Sequence, residues 1–210
     1  MYNPIYNIKF QSLNKVNYEI KIEGLDYSGD EKELTPGSSP FILSTDEGDA
    51  LIPIRASRAT VRIISDEEDN YLNTLYTSNP LSVRVTLFKD GVIEWLGYLL
   101  QDTFSQNFDD ERFTFEMECV CALSTLKYKK FIQEDDTVTF IKLIQDAAMH
   151  AGYNDIYLTN NIKSKNGENP YNTLKVATGN FIDELGEKMS YYEILEDIAK
   201  YLGCTFVPYK

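Results

Sequence analysis

The sequence predicts an α+β protein, with an N-terminal antiparallel β-barrel or sandwich followed by a smaller α+β module. Apolar and polar residues alternate with period two through the first half of the chain, and Asp90-Gly91 is a hairpin turn signal. Helical patterns begin only after about residue 123, and strands followed by helices favour this class over a parallel sheet with crossover helices. We therefore predict two domains, 1–128 and 129–210.

Five segments of the first domain have the alternation of half-buried strands. Polar residues separate the apolar ones, which points the apolar side chains of each strand to one face. These predicted inward positions are Tyr6, Ile8 and Phe10; Val16, Tyr18, Ile20 and Ile22; Val61 and Ile63; Leu81, Val83, Val85 and Leu87; and Phe113, Phe115, Met117, Cys119 and Cys121. The stretch "FKDGVIEW", residues 88–95, predicts a β-hairpin that turns at Asp90-Gly91.

Two polar stretches are predicted to be loops or irregular insertions, because Gly, Pro, Ser, Asp and Asn dominate them. They are "GLDYSGDEKELTPGSSP", residues 24–40, and "SDEEDNYLNTLYTSNP", residues 65–80. The acidic run from Asp66 to Asp69 lacks the ligand spacing of a calcium-binding loop. A solvated loop is the favoured interpretation of this run over a cation site.

The second domain is predicted to contain two helix-turn-strand units. The first helix begins after Thr139 and ends at Gly152, and the second begins after a capping box of Ser190 and Glu193 and ends at Gly203. Their predicted apolar stripes are Ile141, Ile144 and Ala148 in the first helix, and Ile194, Leu195, Ile198 and Leu202 in the second. The helices overlay without a gap, which fits either an internal repeat or the residue preferences that capped helices share.

A short extended piece follows each of these glycines, and the last one is Thr205 to Tyr209. This final strand has hardly room to pair before Lys210. We therefore expect the chain to be the N-terminal part of a longer protein, with the partners of this strand beyond the last residue. The connection between the units, residues 161–188, is predicted to be a long excursion with a little structure of its own.

Composition disfavours several classes of partner. The formal net charge of −13 is spread along the chain and would repel nucleic acid and anionic membrane surfaces. The N-terminal "MYNPIYNIKF" lacks the pattern of a signal peptide, and no run of about 18 apolar residues predicts a membrane span. We expect no nucleic-acid partner, no membrane partner and no export by the usual route.

The sequence predicts no enzyme and no catalytic, cofactor-binding or metal-binding residues. It contains no G-x-S-x-G, H-E-x-x-H or G-x-x-x-x-G-K-[ST] motif, and it has one histidine, His150, late in the first helix where the helix dipole suits a cation. Cys119 and Cys121 are expected in the core, and Trp95, beside Glu94, is expected in the core rather than in a sugar subsite.

The aromatic content indicates contact surfaces. The chain has 15 tyrosines and 11 phenylalanines, and tyrosine is enriched where proteins meet each other. Many of these rings are expected in the core or on edge strands. Others are expected to line a protein or carbohydrate interface.

The order of segments resembles tail proteins encoded by phages and prophages of Bacteroides-type bacteria. These segments are "LIPIRASRATVRIIS", then "LSVRVTLFKDGVIEWLGYLLQDTFSQNF", and then a long alternating strand ending in "CALSTLKYKKF". In such proteins a hairpin, W-x-G-Y and a following acidic residue, here Asp102, recur before a helical unit like Phe140 to Gly152. Similar proteins belong with baseplate or tail-tip hub proteins, and they are typically longer than this chain.

The resemblance implies a structural role in the virion tail, assembled in the bacterial host cytoplasm. Hub subunits are usually homotrimers that close the tail tube and contact tube, spike or fibre subunits. No functional residue carries over from the family. Two alternatives stay open: a carbohydrate-binding or adhesion module of the tail that recognises a surface glycan, and a glycoside hydrolase with two facing carboxylates.

Overall fold

A computed structural model describes residues 1–45, 52–66, 71–100, 112–132, 135–159 and 165–208. The chain forms two compact units. The first contains residues 1–46 and 56–122, and the second contains 47–55 and 123–209. Whether the segments 1–128 and 129–210 fold independently stays a prediction.

The first unit is built on one eight-stranded sheet. Its strands are β1 (Tyr2–Gln11), β2 (Asn17–Leu25), β3 (Lys32–Glu33), β4 (Thr35–Thr45), β5 (Ser57–Asp66), β6 (Val83–Lys89), β7 (Val92–Leu99) and β8 (Arg112–Cys121). Their order across the sheet is β3-β1-β2-β6-β7-β8-β5-β4. Neighbouring strands are antiparallel except β1 and β3, which run parallel where Tyr6 and Asn7 face Lys32 and Glu33.

The sheet is not closed as a barrel, so that alternative of the sequence prediction is wrong. Strands β3 and β4 lie at opposite ends of the strand order, yet only Leu34 separates them along the chain. One extended stretch therefore pairs with β1 at one edge and with β5 at the other, which requires a strongly curled sheet. Pro36 and Pro40 of β4 have no N–H to donate to a closing ladder. The sandwich-like alternative is compatible with this arrangement.

The core of the first unit follows the predicted alternation. Ile20 of β2 lies between Ile8 of β1 and Leu87 of β6, and these three side chains are buried. The other inward positions that are buried are Tyr6, Ile22, Val61, Ile63, Val83, Val85, Phe115, Met117, Cys119 and Cys121. At the strand ends the alternation predicts more buried strand positions than the structure has. Val16 and Leu81 lie outside β2 and β6, and Phe10, Tyr18 and Phe113 are half-buried rather than buried.

The hairpin predicted at Asp90-Gly91 is confirmed. These residues connect β6 and β7 with φ angles of 47° and 83°. Two consecutive positive φ angles are typical of the type I′ turns that match the twist of a hairpin.

Two elements lie where loops were predicted, and at these places the sequence interpretation is wrong. Residues Thr35–Pro40 belong to β4, and Tyr71–Leu75 form a short helix, α1. Tyr71 and Leu75 are four residues apart, so they lie on one helix face, and both are buried. The acidic run at residues 66–69 lies outside the described residues, apart from the backbone of Asp66.

The second unit contains the two predicted helices, α2 (Phe140–Ala151) and α4 (Tyr191–Leu202), and a four-residue helix between them, α3 (Pro170–Thr173). The predicted N-caps, the capping box and the left-handed C-cap glycines are all present. The buried positions are Leu143, Ile144, Ala147 and Ala151 in α2 and Tyr191, Ile194, Leu195, Ile198 and Ala199 in α4. Ile141, Ala148 and Leu202 of the predicted stripes are only half-buried.

The strands predicted after these helices are absent from the described residues. Residues 153–159 contain no strand, and Phe206 forms a single parallel bridge with Ile54. The Phe206 N–H donates to the carbonyl oxygen of Pro53 at 2.8 Å, and the Arg55 N–H donates to Phe206 at 2.9 Å. Phe206 therefore has a backbone partner within the described residues, and the expectation that further partners of this segment lie beyond Lys210 stays a prediction.

The excursion between the helices carries short elements of its own, as predicted. Besides α3, it contains strand β10 (Lys175–Ala177), which pairs antiparallel with β9 (Thr137–Thr139) immediately before α2. A 3₁₀ turn, Thr178–Phe181, follows and buries Phe181. The Phe181 ring contacts Phe131 edge-on at 5.0 Å between centroids.

Candidate functional site

The outer edge of β4 is the first candidate contact surface. Strand β4 ends the strand order, and within the described residues β5 is its hydrogen-bonded neighbour. Strands at the edge of a sheet carry backbone N–H and C=O groups that can pair with another chain. The two halves of β4 differ in the features that protect this edge from pairing with another chain.

The first half of β4 carries features that discourage such pairing. Pro36 and Pro40 lack the N–H donor, and Ser39 has a φ of +50°. Between the pairs Pro36↔Ile63 and Phe41↔Val61 the register shifts, which marks a bulge in β4. Prolines and bulges are common protections of edge strands.

The second half of β4, Phe41–Thr45, has none of these protections. It is the sequence "FILST", with no charge, proline or glycine, and it pairs in continuous register with Ser57–Val61 of β5. Ile42 and Leu43 are 37% and 52% exposed, whereas Phe41 packs edge-on against Trp95. Backbone and apolar side chains are thus both available at this edge.

A shallow depression at one end of the sheet is the second candidate surface. Its volume is about 470 Å³, and it is lined by Lys9, Phe10, Gln11, Asn17, Tyr18, Glu19 and Gly91. Phe10 and Tyr18 face each other across β1 and β2. Their rings are stacked with centroids 5.2 Å apart and planes 11° apart.

Hydrogen bonds between two hairpin ends hold this depression in place. Asn17 donates its N–H to Asp90 Oδ1 at 3.1 Å and accepts from the Asp90 N–H at 2.9 Å. Gln11 Nε2 donates to Asn17 Oδ1 at 3.1 Å and to the Lys15 carbonyl oxygen at 3.3 Å. The turn between β1 and β2 is thereby tied to the turn between β6 and β7.

Trp95 lies in the core, as predicted. It is 6% exposed, and its Nε1 donates to the hydroxyl of buried Ser57 at 3.0 Å. Glu94 beside it is half-buried. The depression lies elsewhere and is lined by one carboxylate, that of Glu19, whereas glycoside hydrolysis by the usual mechanism requires two.

The cysteines of β8 also lie in the core, as predicted. Cys119 and Cys121 are fully buried on one face of the sheet, and the structure contains them as free thiols. Burial raises the pKa of the Cys119 thiol, so it stays protonated at neutral pH. A protonated buried thiol behaves as a small apolar side chain.

His150 lies in the last turn of α2, at the late position in the helix that the sequence predicted. It is half-buried, and its ring lies 4.7 Å from that of Tyr191. Burial lowers the pKa of the imidazole and the ammonium of Lys129 lowers it further, while Asp146 opposes both. The neutral ring packed on Tyr191 is therefore the dominant form at neutral pH.

The described residues contain no group of three or more His, Cys, Asp or Glu side chains arranged to hold a metal ion. Across the same residues, no helix combines the length and the apolar composition needed to cross a membrane.

No protein-family model matches the chain, and no curated protein matches it. The chain is similar to the crystal structure of the 43 kDa tail protein of prophage MuSo2 from Shewanella oneidensis, with a TM-score of 0.46 and 15% sequence identity. The match covers 91% of this chain and 50% of that one, so the chain spans half its length. This level of similarity does not establish a shared fold.

Proposed function

We propose that the chain is a structural, non-catalytic subunit of a phage or prophage tail, within the baseplate or tail-tip hub. Its partners are other copies of itself, as a homotrimer, and the tube, spike or fibre subunits of the tail. It would act in the virion tail after assembly in the bacterial host cytoplasm. The order of sequence segments from Leu51 to Phe131 resembles that of Bacteroides-type tail proteins, and this resemblance supports the assignment.

The observation that carries the proposal is the unprotected edge Phe41–Thr45. A ring of identical subunits needs a surface on each copy that fits a different surface or edge on the next. Strand addition at a sheet edge supplies backbone hydrogen bonds, while side chains such as Ile42 and Leu43 supply specificity. The first half of the same strand, with its prolines and bulge, limits the pairing to these five residues.

The test is the solution mass of the intact chain and of edge variants. Wild-type protein is expected to sediment as an oligomer, and the double variant Ile42→Lys/Leu43→Lys is expected to sediment as a monomer, since lysines on an edge strand block strand addition. Val92→Lys is the matched control, because Val92 is also an exposed strand residue, at 70%, but lies on β7. This control should keep the wild-type mass.

A wild-type chain that is monomeric at about 100 μM, a concentration that populates even micromolar complexes, would contradict assembly through this edge. So would an oligomer that survives both lysines. The tail assignment itself is tested by immunogold labelling of tail particles with an antibody against the chain. Label on the tail tip is expected, and particles without label would refute the assignment.

A further inference from the structure

We propose that two surfaces of the second unit bind each other between copies of this chain. The first is the turn at residues 183–187, the leucine turn, and the second is the segment at residues 127–132, the lysine strip. The inference rests on the proposed function, since both hold that copies of this chain meet. It uses no residue of β4, so it is tested separately from the β4 edge.

The leucine turn is held in one conformation by its own hydrogen bonds. Asp183 Oδ1 accepts from the N–H groups of Leu185 and Glu187 at 2.9 and 2.7 Å. The Asp183 N–H donates to the Glu187 carbonyl oxygen at 2.9 Å, and the Gly186 N–H donates to the Asp183 carbonyl oxygen at 3.0 Å. A turn that is already fixed loses little conformational entropy on binding.

This fixed turn presents an apolar side chain to solvent. Leu185 is 88% exposed, and the exposed carboxylates of Glu184 and Glu187 flank it. Neither glutamate has an ion-pair partner in the described part of the chain. Lys188 follows the turn and offsets one of the negative charges. A surface that combines apolar and basic side chains is therefore the complement of this turn.

The lysine strip has both kinds of side chain on its outer side. Tyr128, Lys130 and Ile132 are exposed, whereas Phe131 between them is buried. Tyr128 and Ile132 are 50% and 54% exposed, which is unusual for large apolar side chains. The Lys127 ammonium lies 4.8 Å from the centroid of the Tyr128 ring. Leu185 of a second copy can pack on these apolar groups while its glutamates meet the ammonium groups.

The charge of the strip contrasts with that of the whole chain. Three of the four residues 127–130 are lysines, and no other four-residue stretch of the sequence has three basic residues, although the formal net charge is −13. Among the residues that the structure describes, Lys127 and Lys130 form no ion pair. The Glu193 carboxylate lies near Lys130, but it already accepts hydrogen bonds from Ser190.

The two surfaces of one copy do not cover each other. The Met189 N–H donates to the Phe181 carbonyl oxygen at 2.8 Å, and the Phe131 N–H donates to Met189 at 2.9 Å. Short backbone segments that lie side by side thus fix the turn and the strip in place. Leu185 and Tyr128 stay exposed in this arrangement, so each is available to another copy.

A contact between two different surfaces is heterologous, and such contacts close into rings when the rotation allows it. A ring is what the proposed homotrimer requires. One leucine and a few charges bury less area than a stable interface needs. The contact therefore adds orientation to copies that pair through β4, and it does not replace that pairing.

The test is chemical cross-linking of the intact chain in a mixture of unlabelled and ¹⁵N-labelled protein at about 100 μM. A water-soluble carbodiimide joins a carboxylate to a neighbouring lysine amine as an amide, with loss of water. Mass spectrometry is expected to find products of mixed isotope composition that join Glu184 or Glu187 to Lys127 or Lys130. Their yield should fall in about 0.5 M salt, which screens exposed charges.

Leu185→Ser should lower the yield of these mixed products about tenfold, because burial of a leucine side chain contributes on that order to affinity. Leu13→Ser is the matched control, since Leu13 is a fully exposed leucine between β1 and β2. This control should keep the wild-type yield. Lys15, an exposed lysine between the same strands, is the reference amine and should give no mixed product with the two glutamates.

The proposal is overturned if the mixed products are absent, if both serine variants lose yield equally, or if Lys15 links to the glutamates as often as the strip does. An oligomer without these links would refute this contact and leave assembly through β4 intact. A monomeric mass together with these links would support the contact and contradict assembly through β4.

Discussion

Tyr71 of α1 lies flat against Phe115 of β8, with ring centroids 4.7 Å apart and planes 14° apart. Tyr71 also contacts the Tyr6 ring edge-on at 5.7 Å, so one side chain joins α1 to both β1 and β8. Both Tyr71 and Phe115 are at most 1% exposed. A five-residue helix has little stability of its own, and this packing is what holds it in place.

Replacing Tyr71 by Ala should therefore lower the free energy of unfolding by about 3–5 kcal/mol, the usual cost of emptying a large aromatic site in a core. Urea denaturation followed by fluorescence measures the change. Tyr76→Ala is the control, because Tyr76 is 65% exposed just after α1 and should cost no more than about 0.5 kcal/mol. Equal costs for the two variants would show that α1 does not pack as described.

Ser190→Ala should destabilise the second unit by about 1 kcal/mol, because it removes the capping box of α4. The Ser190 hydroxyl accepts from the Glu193 N–H at 3.3 Å, and Glu193 Oε2 accepts from both the N–H and the hydroxyl of Ser190 at 2.7 Å. Thr139→Ala is the matched control, since Thr139 caps α2 through one bond of 3.4 Å. Thermal unfolding should show the larger loss for the Ser190 variant.

The same capping box should make stability depend on pH. Hydrogen bonds from the Ser190 N–H and then from its hydroxyl lower the pKa of Glu193 below its ordinary value of 4.5. A carboxyl with a lowered pKa in the fold stabilises the protein above pH 4.5, and this contribution is lost as the pH falls through the folded pKa. The stability advantage of the wild type over Glu193→Gln should be constant from pH 7 to about 5 and shrink below that. An advantage that grows on acidification would contradict the box.

His150 should titrate below 6.5, because burial and Lys129 lower its pKa in the fold. The unfolded chain then binds more protons than the folded one just below pH 6.5, so this histidine's contribution is complete above 6.5 and declines as the pH falls. The chain has one histidine, so its ring proton is assigned without ambiguity in an NMR titration. Lys129→Met should raise the measured pKa, and Lys130→Met, an exposed neighbour, should leave it nearly unchanged.

Gly91→Ala should cost about 1–2 kcal/mol, because Gly91 has a φ of +83° that residues with a Cβ adopt only with strain. An added Cβ would meet no atom within 4 Å, so the cost is conformational rather than steric crowding by neighbours. Gly91→Asn is the control, since asparagine tolerates this region better and should cost less in the same urea denaturation. The reverse order of costs would contradict a type I′ turn.

The strands were predictable wherever side-chain alternation and turn chemistry agreed. Asp90-Gly91 and the capped helices were found because their signals are local. Strand β4 was missed because Pro36, Gly37 and Pro40 are loop-forming residues that here sit in and around a bulge. Helix α1 was missed because two buried residues, Tyr71 and Leu75, are too few to form a helical pattern inside an acidic, Asn-rich stretch.

The candidate sites were less predictable than the strands. The stack of Phe10 on Tyr18 depends on the register of β1 against β2, which the turn from Ser12 to Val16 sets. Alternation alone placed both rings on the inward face and did not show that this face is open at its end. The depression also depends on the hydrogen bonds between Asn17 and Asp90, which belongs to a distant hairpin. A single sequence contains no pattern that predicts these hydrogen bonds.

The bridge between Ile54 and Phe206 has a consequence for synthesis of the chain on the ribosome. The two residues are separated by about 150 positions, and closing a loop of that length costs about 4–5 kcal/mol of chain entropy. At translation rates of roughly 5–20 residues per second, Ile54 emerges many seconds before its partner exists. All the strands of the first unit have emerged before then, because β8 ends at Cys121. The edge Phe41–Thr45 is therefore exposed to other nascent chains while the second unit still lacks the bridge between Ile54 and Phe206.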